Sequence, residues 1–275
     1  MQVGPYEVQK ELARGGMGVV YLAREPGGEE VALKVLLAGA LSDPEQELRF
    51  RREAEALEAL DHPGILRVRA HGVADGRPYT VMDLLRGPTL ADAVKAEGPL
   101  PEGRARALGQ RMAAALAHAH GRGVLHRDLK PENVILRAPD DPVLVDFGLV
   151  LQLGLERTRL TETGTILGSP RYMAPEQALG HTDLGPAVDV YALGATLYFL
   201  LTGRPPFDGA SVLGILSQVV NDPPRPLREL RPELSPALEA RVLRCLEKEP
   251  ARRFASAQEL ERALGGAGRG ASPAR

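Results

Sequence analysis

The sequence predicts an α+β fold in two parts: a small antiparallel sheet with one main helix, then a larger and mostly helical region. Three observations predict it. Short alternating apolar runs punctuated by glycine fill residues 6–36 and 65–85. A single helical pattern, DPEQELRFRREAEALEAL, lies between them. Beyond RGPTL the chain turns helical, with PEGRARALGQRMAAALAHAHGRG and AVDVYALGATLYFLLTG as its longest patterns.

The bulk numbers set limits on function. The 275 residues are enough for one large domain or two lobes with ample core. A net charge of -2 gives no electrostatic reason for a nucleic-acid or membrane partner. Cys245 is the single cysteine, so no intrachain disulfide forms, and its helical context makes it a small buried hydrophobe. No apolar run reaches membrane-spanning length, and the N-terminus lacks a basic segment followed by an apolar core. The expected location is therefore cytoplasmic, with membrane attachment only through sequence beyond residue 275.

Taken in order, YEVQKEL leads into ARGGMG, VVYLARE leads out, PGG turns, and EVALKVLL follows. Strand, turn and strand predict antiparallel pairing. No helix follows Gly18, which excludes a Walker-type phosphate loop. Gly15, Gly16 and Gly18 let backbone approach a phosphate, although a plain hairpin turn needs the same residues. In the third strand Ala32 and Lys34 share one face, while Val31, Leu33 and Val35 share the other. Ala32 leaves room for a flat ring and Lys34 can reach phosphate oxygens; the plainer alternative is an exposed lysine on an edge strand.

The helix that follows has Asp43 at its N-cap and Pro44 at its first position. Phe50, Ala54, Leu57 and Leu60 fall on one stripe, with Glu53 inside it and Arg51, Arg52 and Glu55 off it. An acid on a buried face needs a partner, and Lys34 is the candidate. ILRVRAHGV and PYTVMDLL complete a five-stranded sheet ending near Met82, and Gly87 and Pro88 supply hinge material. His118 and His120 stand two apart on the alanine-rich helix, off a common face, so they read as solvated or packing residues rather than metal ligands.

The chemistry concentrates in HRDLKPEN, from His126 to Asn133, and in DFG, from Asp146 to Gly148. Asp128 can accept a proton from an attacking hydroxyl, and Asn133 and Asp146 can hold a metal ion. This pairing reads as the catalytic and metal-binding loops of a phosphoryl-transfer enzyme. From Leu149 to Pro170 periodicity is weak, and Thr158, Thr161, Thr163, Thr165 and Ser169 lie in a loop long enough to suggest function. GGAGRGASPAR reads as a flexible tail or the start of a linker.

On GGMGVVYLA, VALK, HRDLKPEN, DFG and APEQ, the chain resembles the eukaryotic-type Ser/Thr protein kinases, in their bacterial branch, over about residues 6–264. The resemblance implies a two-lobed kinase fold, with an N-lobe at 1–82, a hinge at 83–88, a C-lobe at 89–264 and a tail at 265–275. It implies that Leu12, Ala13, Arg14, Gly15, Gly16, Met17, Gly18, Val19 and Val20 form the loop over the ATP phosphates. Ala13 departs from the family pattern at the first glycine position, which predicts a stiffer loop. Val20 and Ala32 would hold the adenine from above and Ile135 from below. Met82 matches the gatekeeper, and Asp83 to Leu85 the hinge backbone.

The resemblance further implies that Lys34 contacts the α- and β-phosphates and pairs with Glu53. Asp128 matches the catalytic base, and Lys130 the residue on the transferring phosphoryl group. Asn133 and Asp146 match ligands for Mg2+ or Mn2+. His126, Phe147 and Leu57 match an internal stack. Ser169 and Glu176 match the substrate platform, with Glu176 paired to Arg253, and Asp189 matches an anchor for the catalytic-loop backbone. Arg127 matches a receiver for a phosphorylated loop residue, with Thr161 and Thr163 as the expected phosphosites. The implied reaction is ATP-dependent phosphorylation of Ser/Thr hydroxyls on proteins, with no nucleic acid involved, and a homodimer would allow phosphorylation in trans. The rival readings are a catalytically weak pseudokinase scaffold and a small-molecule kinase on the same fold. The full set Lys34, Glu53, Asp128, Asn133 and Asp146 argues against the first, and the APE segment and threonine-bearing loop argue against the second.

Overall fold

The computed structural model describes residues 1–15, 18–36, 44–147 and 170–266. Gly16, Met17, Asp43, Gly148, Ser169 and the four loop threonines fall outside that set, so the expectations placed on them are not addressed by it. Contacts divide the described residues into two units, 1–86 with 145–147, and 87–144 with 170–266.

The first unit is built on an antiparallel sheet of β1 (Gln2–Val3), β2 (Tyr6–Gly15), β3 (Gly18–Arg24), β4 (Glu30–Leu36), β5 (Val68–Ala74) and β6 (Arg77–Asp83), in the order β1-β2-β3-β4-β6-β5. Five strands were expected and six are found. The extra strand, β1, is two residues long, too short for any alternation to show. It closes on β2 through a turn at Gly4, whose φ is +54°, and it brings Val3 and Tyr6 under cover. The β5–β6 turn is Asp75-Gly76 with φ of +50° and +70°, the left-handed pair that matches strand twist in a two-residue hairpin.

The two faces of β4 separate as its alternation predicts. Val31, Leu33 and Val35 enter a core with Tyr6, Ala23, Tyr79 and Val81. Tyr6 and Tyr79 meet edge to face at 5.8 Å. Ala32 and Lys34 lie on the opposite face, in register with Met82 and Thr80 of β6. Helix α1 (Pro44–Glu58) packs on β5, burying Phe50, Ala54 and Leu57, with Leu60 just beyond it, and exposing Arg51, Arg52 and Glu55. Each large side chain of that stripe contributes on the order of 1.5–3 kcal/mol.

The second unit holds a hairpin of β7 (Val134–Ala138) and β8 (Asp141–Leu144) among helices. These are α2 (Leu90–Glu97), α3 (Glu102–His120), α4 (Pro175–Ala178), α5 (Ala187–Thr202), α6 (Val212–Asn221), α7 (Leu227–Leu230), α8 (Pro236–Cys245) and α9 (Ala257–Gly265). Helix α5 is buried almost all round and is the hub of this unit, contacting α3, α8 and α9. It ends at Gly203, whose φ of +73° makes a left-handed cap. Among the described residues no helix is long and apolar enough to cross a membrane.

The start of this unit is fastened to β7. Pro88 O accepts from Leu136 N at 2.9 Å, and Thr89 bridges to Ile135. Gly87 lies so near that a Cβ there would stand 2.1 Å from Leu136 O. The glycine read from sequence as hinge material is also required by this close approach.

Candidate functional site

In the first unit the sheet presents Lys34 on the side away from its aromatic core. Its Nζ meets Asp146 Oδ1 at 2.6 Å. The two residues stand 112 positions apart, so no periodicity could have paired them. Asp146 has a φ of +57°, a left-handed conformation that costs a non-glycine residue on the order of 1–3 kcal/mol and concentrates at functional positions. Phe147 is buried beside it. Lys34, Leu57, Thr80, Met82, Asp146 and Phe147 line a pocket of about 30 Å3. Glu53 is half-buried on α1, one turn before Leu57, on the inward side where the sequence placed it.

The glycine-rich hairpin pairs Ala13 with Val20, Arg14 with Val19 and Gly15 with Gly18. Its two ends differ in why they are glycine. A Cβ on Gly18 would stand 2.4 Å from Val35 O, so packing against β4 demands glycine there. Among the described residues a Cβ on Gly15 would meet nothing within 4 Å, so their packing does not demand glycine there. Leu12 and Arg14 are exposed, and Arg14 Nε pairs with Glu11 Oε1 at 3.0 Å. The Arg14 hydrogen bond holds the Glu11 carboxyl below its ordinary value. Val19 is buried, and Val20, Asp83 and Leu85 are half-buried.

Sequence reasoning missed Arg69. Its guanidinium reaches Asp83, Glu29 at 2.6 Å and Glu25 at 3.4 Å, tying the strand end at Asp83 to the β3–β4 turn. The hydrogen bonds that Arg69 donates to Glu29 and Asp83 raise its pKa further.

In the second unit the HRDLKPEN residues gather on one short turn. Lys130 Nζ meets Asp128 Oδ2 at 2.7 Å. Asn133 Nδ2 donates to Asp128 O at 2.8 Å and to Asp128 Oδ2 at 3.1 Å. Pro131 to Asn133 form a 3-10 turn that runs straight into β7, which fixes Asn133 and carries Ile135.

Beneath this turn lies Asp189 of α5, fully buried. It accepts from His126 N and Arg127 N, each at 2.8 Å, and meets His120 Nε2 at 2.7 Å. Burial pushes its carboxyl up, but the His120 hydrogen bond, the nearby histidine charges and the His126 N–H outweigh burial and hold it below its ordinary value. The expected backbone anchor is therefore present. His120, read as a packing or solvated residue, is part of it; its place in the last turn of a helix with one buried face, six residues before His126, was the available signal.

The APEQ segment is held just as firmly. Arg253 is 2% exposed and forms a two-pronged pair with Glu176, at 2.7 and 2.8 Å. Its remaining N–H groups donate to the carbonyls of Glu247, Lys248 and Ala187 at 2.8 to 2.9 Å, so all five donors are used. Gln177, also missed from sequence, accepts from Ala174 N at 3.1 Å and donates to Arg127 O at 2.9 Å.

Residues 6–263 match the protein kinase domain model. The chain belongs to the protein kinase family. Among its curated relatives are the serine/threonine-protein kinases PknB of Mycolicibacterium smegmatis (38% identical over 93% of this chain and 41% of the relative), pkn3 of Myxococcus xanthus (39%, 94% and 49%) and PrkC of Bacillus subtilis (36%, 94% and 40%). The chain thus spans less than half the length of these relatives. Its kinase fold is close to that of the Mycobacterium tuberculosis PknI kinase domain, with a TM-score of 0.76, 35% identity and 96% of each chain covered. It is also similar to Rad53 residues 1-466 in complex with AMP-PNP, with a TM-score of 0.76 and 26% identity over 95% of this chain and 64% of that one. These curated relatives are named as bacterial serine/threonine-protein kinases, and membership of the protein kinase family implies ATP with a divalent cation.

Proposed function

We propose that this chain transfers the γ-phosphoryl group of ATP to Ser or Thr hydroxyls of proteins. The observation that carries the reading is the Asp128, Lys130 and Asn133 cluster, gathered on a turn whose backbone is anchored by a buried carboxylate. Asp128 orients the hydroxyl and takes its proton on a carboxylate oxygen. The hydroxyl oxygen bonds to the γ-phosphorus as the bond to the β–γ bridging oxygen breaks, and Lys130 offsets the charge on the group in transit.

The residues fit a nucleotide with Mg2+ or Mn2+. The Asn133 amide nitrogen is engaged by Asp128, which leaves Oδ1 as its ligand atom. Asp146, with a side chain 40% exposed, already faces one cation, the ammonium of Lys34. Hard oxygen donors of this kind suit either metal, which when bound neutralises phosphate charge. Lys34 then serves the α- and β-phosphates with Glu53 as its partner, and the backbone of Asp83 to Leu85 serves the adenine. Gly15, whose missing side chain packing does not demand, is the place for phosphate to approach the hairpin.

Autophosphorylation at Thr161 and Thr163 belongs to the same reading. Support comes from Arg127, whose Nε is buried with no hydrogen-bond partner among the described residues, as a receiver for phosphate needs. ATP consumption by the purified chain, with a basic protein as acceptor and small alcohols in parallel, tests the function. Protein-dependent turnover is expected; turnover with the alcohols alone would assign a small-molecule kinase.

A further inference from the structure

The peptide before Asp128 is in an uncommon conformation and is gripped from two sides. Arg127 has a φ of +63°, which a bulky residue holds only where its surroundings over-determine it. Its N–H is taken by Asp189 Oδ1 at 2.8 Å. Its carbonyl is taken by Gln177 Nε2 at 2.9 Å. Asp189 comes from the hub helix α5 and is steadied by His120. Gln177 comes from the other direction, from α4, directly after Glu176.

Gln177 is 5% exposed, and both ends of its amide are committed. The oxygen accepts the N–H of Ala174, which caps α4, and the nitrogen donates to Arg127. One side chain therefore joins the 170–178 segment to the residue before Asp128. Glu176 and Arg253 hold that same segment to the body of the unit. The carbonyl of a left-handed residue points away from the local ladder, so without Gln177 it loses the partner the structure gives it.

We infer that Gln177 is a positioning residue for phosphoryl transfer: it locks the Arg127 peptide so that Asp128 faces the hydroxyl presented by the 170–178 platform. The inference rests on the kinase reading above. It assigns Gln177 no contact with ATP or with the acceptor. Its loss should therefore lower kcat and leave the KM for ATP unchanged.

Three measurements on purified wild type, Gln177→Met and Gln177→Glu test it. In steady-state kinetics both variants should lose on the order of ten-fold or more in kcat per folded molecule, with the KM for ATP within about two-fold. Gln177→Glu keeps the acceptor for Ala174 N–H and loses the donor to Arg127 O. Its carboxyl, buried beside a carbonyl, should take up a proton readily and so regain a donor. Its kcat relative to wild type should rise as pH falls from about 8 to about 6, which a purely structural role would not produce. Amide exchange at Arg127 should be faster in Gln177→Met than in wild type, a readout that needs no turnover. Wild-type kcat per folded molecule in Gln177→Glu at pH 8, or unchanged exchange at Arg127 in Gln177→Met, overturns the inference. A wild-type chain with no transferase activity would overturn the kinase reading instead, and the exchange result would still judge the clamp.

Discussion

Replacing Arg253 with methionine should cost the second unit a large part of its stability. Methionine keeps much of the volume, so the loss is electrostatic rather than a cavity. The guanidinium uses all five donors, two on Glu176 and three on backbone carbonyls. The Glu176 side chain is only 11% exposed, so removing its partner strands a carboxylate that water barely reaches. Breaking a buried pair from one side costs roughly 3–5 kcal/mol. A domain of this size loses roughly 2–4 °C per kcal/mol, so the melting temperature should fall by about 6–20 °C. Thermal unfolding followed by circular dichroism at pH 7.5 reads this directly. Arg253→Lys, which keeps the charge but loses the planar fork, should fall between the two. A fall under about 2 °C in Arg253→Met would show that the Arg253–Glu176 pair does not carry this stability, since even the low end of the buried-pair cost exceeds it.

Two further outcomes follow from burial. Lys248 donates to Val219 O at 2.6 Å at the end of α6 and lies 4.2 Å over the Phe207 ring, and burial pushes its pKa down to about 8, with smaller effects from Asp222 and Arg253. In the unfolded chain that lysine titrates near 10.4, so between about pH 8 and 10 the unfolded state binds the extra proton and stability must rise with pH. Urea unfolding of wild type and Lys248→Met at pH 7.5 and 9.5 should show wild type gaining on the variant, and a loss would contradict it. Cys245 is fully buried, and desolvation pushes its thiol up to about 12. Ellman's reagent at pH 8 should leave it unmodified in the native chain and titrate it after denaturation, whereas rapid native labelling would show the site is open.

Most of the sheet was legible because alternation and glycine punctuation are local. The faces of β4 and the buried stripe of α1 could be assigned residue by residue. What escaped was β1, too short to carry a pattern, and the contacts between distant segments. Asp128, Lys130 and Asn133 could be read because they sit within six residues of one another. The Lys34–Asp146 pair could not, and neither could the grip of Gln177 on Arg127, 50 positions away, nor the reach of Arg69 to Glu25 and Glu29. His120 was passed over because spacing tests only partners on its own helix, while its partner, Asp189, is on another.

On the proposed reaction, Asp128 takes the hydroxyl proton as the γ-phosphoryl group passes from ATP to protein. Rates of γ-phosphoryl incorporation into a Ser/Thr acceptor protein by wild type and Asp128→Asn, both shown folded, test it most directly. Wild type should label Ser and Thr, and the variant should fall by on the order of 100- to 1000-fold or more. Turnover near the wild-type rate in Asp128→Asn would show that Asp128 is not the group acting on the hydroxyl.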